Sequence, residues 1–152
     1  MRIALGNDHA GFPLKDSVSR TLTDLGHEVV DRGTQDDTPI DFPDVARRVC
    51  DAVLAGDADR GVLVCGTGVG AAIAANKVPG IRAAVAAEAF TAAQGVEHDD
   101  VNVLCVGAWL VGPVFVEPIL RAYLDATFST DPDFRRRVDK LHALDREGRA
   151  NH

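Results

Sequence analysis

The 152-residue chain has no apolar run near the roughly 18–20 residues that a membrane-spanning helix needs. Its opening Met1-Arg2-Ile3-Ala4-Leu5-Gly6 turns polar too soon for a secretory signal. It has no excess of positive charge: 16 Lys and Arg stand against 23 Asp and Glu, a formal net charge of −7. Without a basic stripe, nucleic acid and anionic membrane surfaces are excluded as partners. The one basic cluster, Arg135-Arg136-Arg137, sits among acidic residues near the C-terminus. Cysteine is scarce. Cys50, Cys65 and Cys105 lie far apart, and an odd count without a signal peptide argues against a disulfide framework. No Cys-x-x-Cys or His-x-x-x-His spacing occurs, so no structural zinc site is expected. Aromatics are few, and Trp109 is the only tryptophan. There is no internal repeat and no low-complexity tract. The expectation is one soluble domain over 1–152, in a reducing, cytoplasmic setting.

What is present is an alternation of short apolar runs and longer amphipathic segments. Strands are expected at Ile3–Leu5, Glu28–Asp31, Gly61–Cys65, Ile81–Ala86 and Val101–Val106. Helices are expected at Phe12–Leu25, from about Phe42 to Leu54, and at Ala71–Asn76, Thr91–Val96 and Val114–Thr127. In the first of these, Leu14, Val18, Leu22 and Leu25 recur at helical spacing, and Gly26 closes it. Pro118 is placed in the first turns of the fifth. A last, highly charged helix runs from Asp133 to about Glu147, with Val138, Leu141 and Leu144 on one side. So thin an apolar stripe cannot hold it firmly on its own core, which directs residues 133–152 toward a subunit interface. The pattern implies an α/β fold: a three-layer, doubly wound sheet of about five parallel strands with helices on both faces.

Ligands of such sheets sit at the carboxyl ends of the strands, near a switch in strand order. That rule sorts the polar residues. Asn7-Asp8-His9 follow strand one, Cys65 to Gly70 follow strand three, and Glu88 follows strand four. Glu97-His98-Asp99-Asp100 precedes strand five. It reaches the site only if its loop folds over or a neighbouring subunit supplies it. The stretch Val62-Leu63-Val64-Cys65-Gly66-Thr67-Gly68-Val69-Gly70 is the most telling. A buried strand ends in a thiol, and a glycine-rich turn follows whose successive N–H groups can form an anion cradle. A thiol at its mouth can act as base or nucleophile. The competing interpretation is a structural turn beside a buried cysteine.

Asp8-His9-Ala10-Gly11, Asp41-Phe42-Pro43-Asp44, Cys65 to Gly70, Ala75-Asn76-Lys77, Gly80-Ile81-Arg82-Ala83, and His98 followed by Asn102-Val103-Leu104 occur in this order. The ordered set closely resembles the type B ribose-5-phosphate isomerases and their galactose-6-phosphate isomerase relatives. The resemblance runs from the N-terminus to the Arg-Arg-Val-Asp-Lys-Leu run at 136–141. It implies aldose–ketose isomerisation through a cis-enediol, without metal or organic cofactor. It implies that Cys65 is the base, and that the Gly66, Gly68, Val69 and Gly70 amides with the Thr67 hydroxyl hold the enediolate oxygen. His98 would open the sugar ring, Asp8 would handle hydroxyl protons, and His9 would contact substrate or phosphate. It also implies a homodimer or homotetramer with sites at the subunit boundary, where Arg137 serves a neighbour's pocket.

The chain departs from that pattern at three places. Asp99 stands where the family usually has asparagine. Trp109 stands where an arginine usually follows strand five. Asp133-Phe134-Arg135-Arg136-Arg137-Val138 replaces an Arg-His-x-x-Arg-Val pattern, which retains only Arg137. Losing two arginines and gaining carboxylates disfavours a dianion in the pocket. Two substrate expectations stay open: a sugar uncharged at its far end beside Trp109, Asp99 and Asp133, or ribose 5-phosphate gripped by Arg135 or Arg136. On other grounds, Asp8 could N-cap the first helix and His9 could cap a turn. Asp41 with Asp44 reads as a capping and loop-ordering pair, and Asn76 and Lys77 as a helix end. Cys50 and Cys105 read as core. His27, His142 and His152 carry no expectation. Two other functions compete: a catalytically silent subunit of a mixed oligomer, and a nucleotide-binding module built on Gly66-x-Gly68-x-x-Ala71 with Glu88.

Overall fold

The computed structural model describes residues 1–150; residues 151 and 152, His152 included, lie outside the described residues. In chain order the elements are β1 (Arg2–Asn7), α1 (Phe12–Asp24), β2 (Glu28–Asp31), α2 (Phe42–Leu54), β3 (Arg60–Cys65), α3 (Val69–Ala75), β4 (Ala83–Val85), α4 (Ala89–Asp99), β5 (Val103–Gly107), α5 (Pro113–Asp125) and α6 (Pro132–Ala150). The strands form one parallel sheet in the order β2-β1-β3-β5-β4. No helix among the described residues is long and apolar enough to cross a membrane.

Strand alternation sorts the core into two layers. Ile3, Leu5, Val62, Val64, Leu104 and Val106 face α1, α4 and α5, where Val18, Leu22, Val96, Ile119 and Tyr123 bury against them. Ala4, Leu63, Cys65, Val103 and Cys105 face α2 and α3, meeting Val45, Val49, Cys50, Ala71 and Ala75. Each large aliphatic side chain so buried contributes roughly 1.5–3 kcal/mol. Tyr123 is fully buried, and its hydroxyl donates to the Gly61 carbonyl at 3.1 Å. Burial pushes its phenol far above the ordinary range.

The chain leaves β1 on one side toward β2 and returns through α2 to β3 on the other. The strand order therefore reverses between β1 and β3, and the carboxyl ends of those two strands flank the crevice. Two sequence expectations are corrected, strand four and the 97–99 segment. Strand four is only Ala83–Val85, because Gly80 to Arg82 is held by side chains instead of a ladder: Asn102 Oδ1 accepts from the Arg82 N–H at 2.8 Å. Asn76 ends α3 and clamps Ala83 through both its amide atoms, each at 2.8 Å. Glu97, His98 and Asp99 are the last turn of α4, not a loop, so they cannot fold over the sheet. Pro118 lies inside α5.

Helix α6 is held to its own chain mainly by polar contacts. Val138 is buried, Asp145 accepts from the Gly80 N–H at 2.9 Å, and His142 Nε2 meets Arg82 at 3.1 Å. Leu141 and Leu144 stay open at 41% and 63% exposure, so the apolar stripe is left half-used.

Candidate active site

Residues of the carboxyl edge are built by two turns. After β3, Gly68 takes φ +87°, a left-handed conformation that only glycine adopts without cost. This bends the chain so that the Gly68 N–H points at Cys65 Sγ, 3.0 Å away. The sulfur can only accept there. It is nearly enclosed, with Cys65 at 6% exposure. The Thr67 hydroxyl accepts from the Val69 N–H at 3.3 Å, which leaves its own proton to donate outward. First-turn amides of α3, at Gly70 and Ala71, have no partner inside the helix. Sulfur, hydroxyl and amides thus all belong to one short turn at the end of β3. Burial pushes the Cys50 thiol up to about 11 and raises Cys105 well above its ordinary value, which makes both inert. Gly68→Ala is expected to cost about 1–2 kcal/mol from its left-handed φ, read as a lowered urea midpoint, and to turn the N–H off the sulfur.

After β1, Asp8 is buried and its Oδ1 accepts from the Gly11 N–H at 2.8 Å. The N-cap of α1 is Gly11, not Asp8. Asp8 instead shapes the turn with one carboxylate oxygen. His9 is exposed, and its Nδ1 accepts from the Ile40 N–H at 3.2 Å. That contact leaves the ring proton on Nε2, a donor facing outward.

A network that sequence reasoning missed holds this turn. The buried polar and charged side chains among the described residues are Asn7, Asp8 and Lys15, and all belong to it. Lys15 Nζ pairs with Asp31 at 2.8 Å and donates to the Thr34 carbonyl at 2.5 Å. Asn7 Nδ2 donates to the Thr34 hydroxyl at 3.0 Å and to the Asp8 carbonyl at 3.1 Å. The 32–41 loop, and with it the Ile40 N–H that orients His9, is tied to the β1 turn. A lysine beside Leu14 and one turn from Val18, on the buried side of α1, was the available signal. Burial opposes ionisation of Asp31, but hydrogen bonds from Lys15, Gln35 and the Gly33 N–H outweigh it and hold its carboxyl below the usual value. A depressed carboxylate stabilises above its unfolded pKa of about 3.9 and loses that contribution as pH falls through the folded value. With Asp31 partly solvated, Asp31→Asn should cost no more than about 1 kcal/mol at neutral pH. In urea titrations that gap closes below about pH 4.

His98 lies elsewhere. Helix α4 starts at the carboxyl edge and runs back about 16 Å along the sheet, so its last turn sits at the amino edge. There the His98 ring stacks on Phe134 of α6, centroids 3.9 Å apart. Gln94 Nε2 lies 3.1 Å from His98 Nδ1. An amide nitrogen only donates, so the ring proton sits on Nε2. Arg137 lies over the other aromatic partner, 5.5 Å from the Phe134 ring centre. Asp133 pairs with Arg136, whose hydrogen bond holds its carboxyl below the usual value. Asp99 borders a separate amino-edge cavity of about 350 Å³ with Arg82, Leu144 and Asp145. Within one chain the named residues therefore form two half-sets. Cys65, Thr67, the glycine turn, Asp8, His9 and Trp109 share the carboxyl edge. His98, Asp99, Asp133 and Arg137 share the amino edge.

Glu88 is neither. It N-caps α4, with both carboxylate oxygens accepting from the Phe90 and Thr91 N–H groups at 2.6 and 2.7 Å. The acidic group that a dinucleotide reading requires is thereby spent on the helix.

A family model described as Ribose/Galactose Isomerase matches residues 3–141. The chain is 41% identical over 144 residues to ribose-5-phosphate isomerase B of Escherichia coli (strain K12), covering 95% of this chain and 96% of that protein. It is 38% identical over 130 residues to D-erythrulose-4-phosphate isomerase of Pectobacterium atrosepticum, covering 84% of this chain and 85% of that one. The solved structure of Clostridium thermocellum ribose-5-phosphate isomerase B superposes with a TM-score of 0.93 at 40% identity, over 97% of this chain and 99% of that one.

Proposed function

The chain belongs to the ribose/galactose isomerase family and is an aldose–ketose isomerase, and we propose that Cys65 is the base that carries its proton. The substrate in this reading is ribose 5-phosphate or a related sugar, phosphorylated or free. The Cys65 sulfur removes the hydrogen from C2 of the open-chain aldose. The C–H electrons form the C1–C2 double bond, and negative charge moves onto O1. Backbone N–H groups of the glycine turn and the Thr67 hydroxyl stabilise that oxygen. One such donor is typically worth 10²–10³ in rate. The proton on sulfur then returns to C1, while the free oxygen of Asp8 moves the hydroxyl proton from O2 to O1. The product is the ketose, and the sulfur, which must enter the cycle as thiolate, leaves it as thiolate.

Ring opening falls to His98 of the partner subunit, since an imidazole is the side chain suited to passing a proton near neutral pH. This part rests on the two half-sets. In a two-fold dimer the carboxyl edge of one copy meets the amino edge of the other twice, which completes two equivalent sites. The open stripe of Leu141 and Leu144 on α6 supports such a pairing. A homodimer is the smallest assembly this reading needs; a homotetramer would be two of them.

The observation that carries the chemistry is the sulfur under the Gly68 N–H at the strand switch point. The test follows the C2 hydrogen of a panel of tetroses, pentoses and hexoses, with and without phosphate, in deuterium oxide. Solvent deuterium at C2 of recovered aldose is expected. A panel in which no member is converted to its ketose and none exchanges its C2 hydrogen would overturn the reading.

A further inference from the structure

Trp109 stands beside the catalytic turn where the carboxyl edge carries least charge. Its N–H donates to the Gly66 carbonyl at 3.0 Å, and the Ala108 N–H to the Cys65 carbonyl at 2.8 Å, so the β5 turn is stitched to the β3 turn. The six-membered ring of the indole lies against Gly66: a Cβ there would sit 2.8 Å from it, which is why the position is glycine. Yet Trp109 is 72% exposed. A tryptophan held by its backbone at a ligand crevice, with most of its surface open, is a platform without its load. The same side chain borders a cavity of about 320 Å³ formed by Pro13, Leu14 and the 108–113 segment. No side chain of that lining is charged.

A phosphate dianion in this hollow would give up water and gain no charge-assisted hydrogen bond from its lining. Within one chain the basic run lies at the amino edge, away from this hollow. The Arg135 guanidinium lies 4.7 Å from the Phe128 ring centre, Arg136 pairs with Asp133, and Arg137 covers Phe134. With a net charge of −7, the long-range field also works against a dianion.

Resting on the isomerase reading above, we propose that this hollow takes the far end of the sugar, that the end it takes is uncharged, and that Trp109 sets this specificity by stacking on the sugar's C–H face. The favoured substrate is a free or terminally deoxygenated aldose rather than an aldose phosphate.

Binding and turnover test this separately. In Cys65→Ala, which holds substrate without converting it, the emission of the sole tryptophan reports occupancy directly. 5-Deoxyribose or ribose is expected to change it at a concentration at least tenfold below that of ribose 5-phosphate. In the active enzyme, kcat/KM for the free sugars exceeds that for ribose 5-phosphate by tenfold or more. Trp109→Ala then raises KM for the free sugars with little change in kcat, and Trp109→Arg shifts preference toward ribose 5-phosphate. Tighter binding or faster turnover of ribose 5-phosphate by the unaltered enzyme overturns the proposal. So does an emission that responds to none of these sugars, or a Trp109→Ala loss equal on all of them. A chain that binds the free sugars in this order but neither converts them to ketose nor exchanges their C2 hydrogen keeps the subsite and loses the isomerase reading instead.

Discussion

Cys65→Ala lowers kcat/KM by about 10⁴, the upper range for removal of a general base, or roughly 5.5 kcal/mol of barrier. The fold survives it. The side chain is small, and its loss costs about 1 kcal/mol of packing, a fall in melting temperature of roughly 2–4 °C for a chain of this length. The discriminating readout is isotopic. In deuterium oxide the unaltered enzyme exchanges the C2 hydrogen of its aldose as the sulfur-bound proton trades with solvent, whereas the variant exchanges none. Cys65→Ser separates chemistry from shape. A serine hydroxyl preserves the contact with the Gly68 N–H but is a far weaker acid than a thiol, so it is seldom ionised. It is expected to lose nearly as much activity as alanine. A serine variant with activity within tenfold of the parent would show that the sulfur is not the base, and would return Cys65 to the role of a buried strand residue beside Cys105.

The fold was legible because its signals are local and repeat. Apolar runs such as Val62–Val64 bury on both faces and need no alternation, and the Leu14, Val18, Leu22 spacing writes a helix directly. The carboxyl-edge residues were legible for the same reason, since strand ends locate them without knowledge of packing. The amino-edge half-set was legible in position but not in form. Glu97-His98-Asp99-Asp100 is uniformly polar and reads as loop, although it is the solvated last turn of α4, closed by Asp100 at φ +51°. What sequence could not give were contacts set by tertiary distance. Among these are the His98–Phe134 stack, the indole against Gly66, and the Lys15–Asp31 pair that ties a polar loop to the β1 turn. The first two have no periodic signature and the third shows only as a lysine on the buried side of α1, because each joins segments that meet only after the sheet has assembled.

Mixing two dead variants should restore activity. Cys65→Ala leaves the amino-edge half-set whole, and His98→Asn leaves the carboxyl-edge half-set whole. If every site takes Cys65 from one copy and His98 from the other, a hybrid dimer holds one doubly damaged site and one intact site. Random reassortment makes half the dimers hybrids, so activity should return to about a quarter of the parent level. The recovery must track subunit exchange: it appears after brief dilution or mild denaturant and remixing, and is absent when the variants are combined below their exchange rate. The substrate form matters, since a ring-opening acid is dispensable for an aldose that is already open. His98→Asn alone is expected to slow cyclic sugars by about 10²-fold or more and 4-deoxyerythrose, which has no hydroxyl placed to close a five- or six-membered ring, much less. Equal losses on both would remove the ring-opening role. Failure of the mixture to recover, with hybrids verified by native mass spectrometry, would leave the half-sets unjoined. The roughly 16 Å of α4 that separate them in one chain would then exclude His98 from the chemistry altogether.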